Sequence, residues 1–124
     1  DTLPVNAHTT ASDALWAGLP VLTCVGEAFA GRVAASLLRA AGLPELVTGN
    51  LDDYEAAAFR LASRPEELAA LKQRLAANRL TCPLFDTDRY RRHLETAYLS
   101  MWERAERGES PQAFDVPPET AVSG

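Results

Sequence analysis

Two short apolar runs, residues 21–25 and 45–48, each stand between segments with helical spacing, and this alternation constrains the fold more than any other feature. The order predicted is helix, strand, helix, strand, then three helices, which implies a parallel α/β sheet. The first helix is expected to start at Thr10 as N-cap and to end at Gly18 and Pro20. The second carries Val33, Ala34, Leu37, Leu38 and Ala41 on one face and stops at Gly42 and Pro44. Asn50 or Asp52 begins a third, with Leu51, Tyr54, Ala58 and Leu61 on one face. Ser63-Arg64-Pro65-Glu66 signals a fourth start, after which Leu68, Leu71 and Leu75 recur. Thr81 to Phe85 breaks the pattern, and Asp86 or Thr87 caps a last long helix bearing Tyr90, Leu94, Tyr98 and Met101. From Gly108 the chain is rich in Pro, Ser and Glu, so the expected division is a folded part at 1–107 and a disordered tail at 108–124. Two or three strands are too few for a complete doubly wound domain. Further strands are therefore expected from chain upstream of Asp1.

Composition narrows the partners. The chain has 124 residues, 47% of them hydrophobic, enough for one core, and a net charge of −5 that argues against nucleic acid. No apolar run approaches the ~20 residues of a membrane span. No secretory leader pattern is present, so a cytoplasmic location is expected. Cys24 and Cys82 stand alone and are expected as buried reduced thiols. Two histidines without a Cys/His cluster give no basis for a metal site.

The chemistry concentrates in Asn6-Ala7-His8-Thr9-Thr10-Ala11-Ser12-Asp13, which leads into Leu15-Trp16-Ala17-Gly18. It puts an imidazole and two hydroxyls at the mouth of a helix, where free N–H groups and the positive dipole end attract phosphate. Read alone, these residues also have plain structural roles. His8 can be a loop imidazole bonded to a backbone carbonyl. Thr10 can be a cap, and Thr10-x-x-Asp13 has the spacing of a capping box. Trp16 and Trp102 fit packing positions. Glu27 is expected to hold a loop or pair with Arg32, and Arg89, Arg91 and Arg92 to form a solvated helix face.

With those residues in view, the chain resembles the C-terminal catalytic lobe of O-linked N-acetylglucosamine transferases, including the SPINDLY-like proteins. The match runs through Gly26-Glu27, Arg32-Val33-Ala34-Ala35-Ser36 and Pro83-Leu84-Phe85 to Tyr98-Leu99-Ser100-Met101-Trp102-Glu103, covering about residues 1–106. The resemblance implies part of a Rossmann-like lobe in a two-lobed GT-B glycosyltransferase with a helix-rich C-terminus. It implies a UDP-sugar donor, transfer of N-acetylglucosamine to Ser or Thr hydroxyls with inversion, and no metal or other cofactor. Carried over by motif, His8, Thr9 and Thr10 meet the diphosphate and Asp13 meets the ribose. The implied partners are an acceptor protein, the other lobe and tetratricopeptide repeats. By the family pattern the phosphate-binding lysine, the uracil contacts and the candidate bases fall upstream of Asp1. No catalytic residue is therefore assigned, and the segment is not expected to be active alone. Ala7 and Ala11 stand where many relatives have glycine, and Val5 where animal members have cysteine. Related readings are fucose transfer from GDP-fucose, glucose transfer to asparagine, or a non-catalytic nucleotide-sugar-binding or interaction module. The last helix is expected to expose an apolar face that reaches the other lobe or drives self-association.

Overall fold

A computed structural model describes residues 1–117. The expected tail therefore falls partly outside the described residues, at 118–124. The chain divides into two compact units, Asp1–Phe85 and Asp86–Gly124.

The first unit contains α1 (Thr9–Trp16), β1 (Thr23–Cys24), α2 (Val33–Ala40), β2 (Val47–Thr48), α3 (Leu51–Ser63) and α4 (Pro65–Asn78). Short 3₁₀ turns at Phe29–Gly31 and Pro44–Leu46 precede α2 and β2. The strands are parallel, with Thr23 beside Val47 and Cys24 beside Thr48. Val25 N–H extends the ladder to the Thr48 carbonyl at 2.9 Å, and the Thr48 hydroxyl donates to the Thr23 carbonyl at 2.9 Å. The alternation read from the sequence is therefore the one observed, but the strands are shorter than their apolar runs. Val21 and Leu22 are only half-buried and pack against the core. A strand exists only where a neighbour supplies ladder bonds, and the two runs face each other over two residues.

The core joins helices to this sheet. Leu15 of α1, Leu38 and Ala41 of α2 and its end, Leu43, Leu46, and Leu71 and Leu75 of α4 form one buried cluster. Val47, Leu61, Leu84 and Phe85 pack on its edge. α2 buries Ala34 and Ala35 beside Leu38, and such small side chains let a helix approach a sheet closely. On α3 the inward positions are Ala57 with half-buried Tyr54 and Leu61, whereas Leu51 and Ala58 are exposed. The expected face was therefore displaced by part of a turn. Cys24 and Cys82 are both buried free thiols, as expected.

Helix ends show the local chemistry at work. The side chain of Asn50 accepts from Asp53 N–H at 2.8 Å and caps α3. α4 starts with Pro65 in its first turn, where the missing N–H costs nothing. α2 ends with Gly42 N–H bonded to the Arg39 carbonyl at 3.1 Å and Leu43 N–H to the Leu38 carbonyl at 2.9 Å. That pattern needs a left-handed residue, and Gly42 has φ +78°. A Cβ there would also sit 2.7 Å from Asn78 Nδ2. Gly42→Ala is expected to cost about 1–2 kcal/mol, from the left-handed penalty alone, read as a lower midpoint in urea unfolding. An unchanged midpoint would mean that the turn is not formed as described.

The second unit is α5 (Thr87–Glu106) and the segment after it. Asp86 caps the helix by accepting from Arg89 N–H at 2.9 Å. None of its residues is buried, and Tyr90, Leu94, Tyr98 and Met101 are all exposed, as the apolar face was expected to be. Trp102 is 65% exposed, which corrects its reading as a packing residue. Arg91 and Arg92 are exposed and Arg89 half-buried. Beyond Gly108 no helix or strand forms up to residue 117. Arg104 pairs with Glu109 at 3.3 Å and stands 5.8 Å from the Phe114 ring. A hydrogen bond from Arg107 holds the Glu109 carboxyl below the usual carboxylate range.

Candidate functional site

α1 begins two residues earlier than the sequence suggested, and this changes the reading of its mouth. His8, not Thr10, is the N-cap residue, and its side chain makes no capping bond. Thr10 lies inside the helix, so neither the Thr10 cap nor the Thr10–Asp13 capping box is formed. The first turn holds no acidic residue, unlike those of α3, α4 and α5. Ser12 N–H is bonded to the His8 carbonyl at 3.1 Å. The N–H groups of Thr9, Thr10 and Ala11 precede it and have no partner within the helix.

Burial of Ala11 and Leu15 fixes the roll of α1. His8, Thr9, Thr10 and Asp13 are all exposed. Asp13 lies three and four residues past the two threonines, which places it on their side of the helix. It is one turn, about 6 Å, further from the mouth. The structure thus brings all four candidate residues to one end and one side of a short helix.

A loop holds that end in place. Asn6 is 3% exposed, its N–H donates to the Ala30 carbonyl at 2.8 Å, and its Nδ2 reaches the Thr2 carbonyl at 3.3 Å. Asn6 Oδ1 is buried with no hydrogen-bond partner among the described residues. His8 Nε2 lies 3.4 Å from the Ala30 carbonyl oxygen, which can only accept, so Nε2 is the donor. The imidazole also meets the Phe29 ring edge-on, with centroids 6.4 Å apart. The Ala30 carbonyl is the kind of partner the plain loop reading of His8 required. That contact uses one ring nitrogen.

The sequence reads Gly26 to Gly31 as a loop or helix entry, but the packing of this second loop against residues 4–8 is not legible in it. Its one trace there is the pair of glycines. Gly26 N–H bonds to the Gly31 carbonyl at 2.7 Å, and a Cβ on Gly31 would stand 3.0 Å from the Pro4 carbonyl. A side chain there would force the Pro4 carbonyl to give way by a few tenths of an ångström. Glu27, expected to hold a loop or to pair with Arg32, lies in the 26–31 loop and forms no ion pair with Arg32. Trp16 does pack: its ring meets Phe85 edge-on at 5.0 Å and lies 5.3 Å from the Arg79 guanidinium. Among the described residues no group of three His, Cys, Asp or Glu could hold a metal ion. No described helix is long and apolar enough to cross a membrane.

Residues 1–94 match the family described as Glycosyl transferase family 41. The chain belongs to that family. A relative from Arabidopsis thaliana, described as "Probable UDP-N-acetylglucosamine--peptide N-acetylglucosaminyltransferase SEC", is 46% identical over 94% of this chain and 12% of its own length. The Caenorhabditis elegans UDP-N-acetylglucosamine--peptide N-acetylglucosaminyltransferase is 39% identical over 87% of this chain and 9% of its own. Among solved structures, a K341M mutant of the Thermobaculum terrenum O-GlcNAc transferase superposes with a TM-score of 0.79 at 40% identity. That match covers 85% of this chain and 20% of the other. The chain thus spans about an eighth of the length of the plant relative. Its fold is α/β, helix-rich, with a small parallel sheet.

Proposed function

We propose that this chain is the donor-nucleotide-binding part of a protein O-GlcNAc transferase. In this reading it belongs to the C-terminal, Rossmann-like lobe of a GT-B enzyme that moves N-acetylglucosamine from UDP-GlcNAc to Ser or Thr hydroxyls. The observation that carries the reading is the uncapped mouth of α1, with His8, Thr9 and Thr10 exposed around it in a family 41 chain.

The chemistry follows from charge. An acceptor hydroxyl attacks the anomeric carbon from the face opposite the leaving group. The bond from that carbon to the diphosphate oxygen breaks, and negative charge grows on UDP. Three N–H groups and two hydroxyls are donors placed, with the positive end of the α1 dipole, to meet that charge as it develops, while the His8 ring, its Nε2–H held by the Ala30 carbonyl, borders the mouth. Donors that bind the departing phosphate more strongly than the intact donor lower the barrier. Asp13 carries the wrong sign for the phosphates. Set back by one turn, it suits the ribose, whose two hydroxyls can donate to one carboxylate. Activation of the acceptor falls to groups N-terminal to Asp1, contributed with the second lobe and tetratricopeptide repeats.

Calorimetry on the full-length protein with UDP and GDP tests the reading. UDP is expected to bind in preference to GDP. Asp13→Asn is expected to weaken UDP by about tenfold, the worth of one charged hydrogen bond. Equal binding of UDP and GDP would sink the uridine-donor reading, and UDP affinity unmoved in Asp13→Asn would sink the assignment of Asp13 to the ribose. No binding of either nucleotide would sink the donor site as a whole.

A further inference from the structure

The Asp1 side chain does something that neither the motif nor the family match assigns. Its Oδ1 accepts from Thr2 N–H at 2.7 Å and from Ala7 N–H at 2.8 Å, while its Oδ2 accepts from the Thr23 hydroxyl at 2.5 Å. One carboxylate thus ties the residue before His8 to the first residue of β1. We propose that Asp1 is a positioning residue: through Ala7 and Thr23 it fixes the donor-binding mouth of α1 to the sheet. This inference rests on the donor-site reading for its functional consequence and on the hydrogen bonds alone for its structural one.

Three features make the tether effective. Thr23 is wholly buried, and its register is set by Val47 and by the Thr48 hydroxyl on its carbonyl, so the anchor cannot drift. Its own hydroxyl is satisfied by the carboxylate, and leaving a buried hydroxyl unpaired is costly. The neighbouring Asn6 N–H is taken by the Ala30 carbonyl, so two consecutive N–H groups of the loop are held from two directions. The next free N–H groups are those at the helix mouth. A carboxylate near a diphosphate site would ordinarily repel the ligand. Here both oxygens face donors, so the charge is absorbed in holding the loop.

Asparagine can keep this geometry without the charge. Its Oδ1 accepts from Ala7 N–H, and its Nδ2 donates to the Thr23 hydroxyl, which can also accept. Alanine can keep none of it. The test is hydrogen–deuterium exchange by mass spectrometry on the full-length protein, read in peptides spanning residues 3–11, together with UDP calorimetry. Asp1→Ala is expected to speed exchange in that segment by about tenfold or more and to weaken UDP by about tenfold. Exchange in residues 71–78 of α4 should not move. Asp1→Asn is expected to restore both readouts to within about twofold of wild type. Unchanged exchange at residues 3–11 in Asp1→Ala overturns the tether. Equal losses in the alanine and asparagine variants overturn it too, because they would make charge, not hydrogen bonding, the operative property. If Asp1→Ala unfolds the protein, α4 exchange rises as well, and Thr23→Val then decides. It removes the anchoring hydroxyl at nearly constant volume and must speed exchange at 3–11 alone. A wild-type protein that binds no UDP removes the donor site, while the exchange contrast still decides the tether.

Discussion

Leu75→Ala is expected to lower the stability of the first unit by about 2–5 kcal/mol. Leu75 is fully buried on α4 and belongs to the cluster that includes Leu15 of α1, Leu38 of α2 and the Leu43–Leu46 turn before β2. Removing three carbons loses their transfer energy and leaves a cavity that these neighbours can close only in part. A single domain has about 5–15 kcal/mol in total, so the loss is a large share of it. Urea unfolding followed by circular dichroism should show the midpoint falling with an unchanged slope. Leu80→Ala supplies the contrast. Leu80 is 80% exposed two residues beyond the same helix, and its truncation should stay within about 0.5 kcal/mol. Equal effects at the two leucines would mean that α4 does not close the core over α1 and α2.

Leu75 also illustrates what the sequence made legible. Leu68, Leu71 and Leu75 repeat at helical spacing, and the structure buries the last two. Patterns of that kind depend on helix geometry alone, so they are readable without knowing what lies opposite. The order of elements was readable for the same reason. Strand length was not, because Val21 and Leu22 satisfy a strand's composition and still lack a ladder neighbour among the described residues. The α3 face shifted because a sequence window cannot tell which side of a helix meets the sheet. Phe59 and Leu51 are apolar and exposed, while the smaller Ala57 is the buried position. At the site, the motif drew attention to His8, Thr9, Thr10 and Asp13, and the structure puts them at one helix end. The partners of the loop were beyond reach. Asp1 meets Thr23 across 22 positions, and Ala30 meets His8 across 22. Neither separation leaves a local signature, and a single acidic side chain or an alanine in a loop attracts no notice by itself.

The uncapped start of α1 sets up the functional prediction with the largest effect. If Thr9 and Thr10 were caps, removing their hydroxyls would cost helix stability of about 1 kcal/mol each. The helix starts at Thr9 behind His8 and shows no side-chain capping bond, so their loss should leave stability within about 0.5 kcal/mol. Thr9→Val/Thr10→Val keeps the branched shape of both residues and removes only the two hydroxyls. If those hydroxyls donate to a diphosphate, each contact is a charge-assisted bond worth about 1.5–3 kcal/mol. The pair together should weaken UDP by about a hundredfold or more, since about 1.4 kcal/mol is tenfold. The two readouts separate the hypotheses because they move in opposite patterns. A donor site predicts lost affinity at constant melting temperature, whereas a structural cap predicts a lower melting temperature at constant affinity. Uridine, which lacks the phosphates, gives the internal control: its binding should be insensitive to the double substitution. If uridine and UDP weaken together, the threonines shape the pocket rather than hold its charge. If neither weakens, the diphosphate lies elsewhere, and the α1 mouth is a solvated helix end.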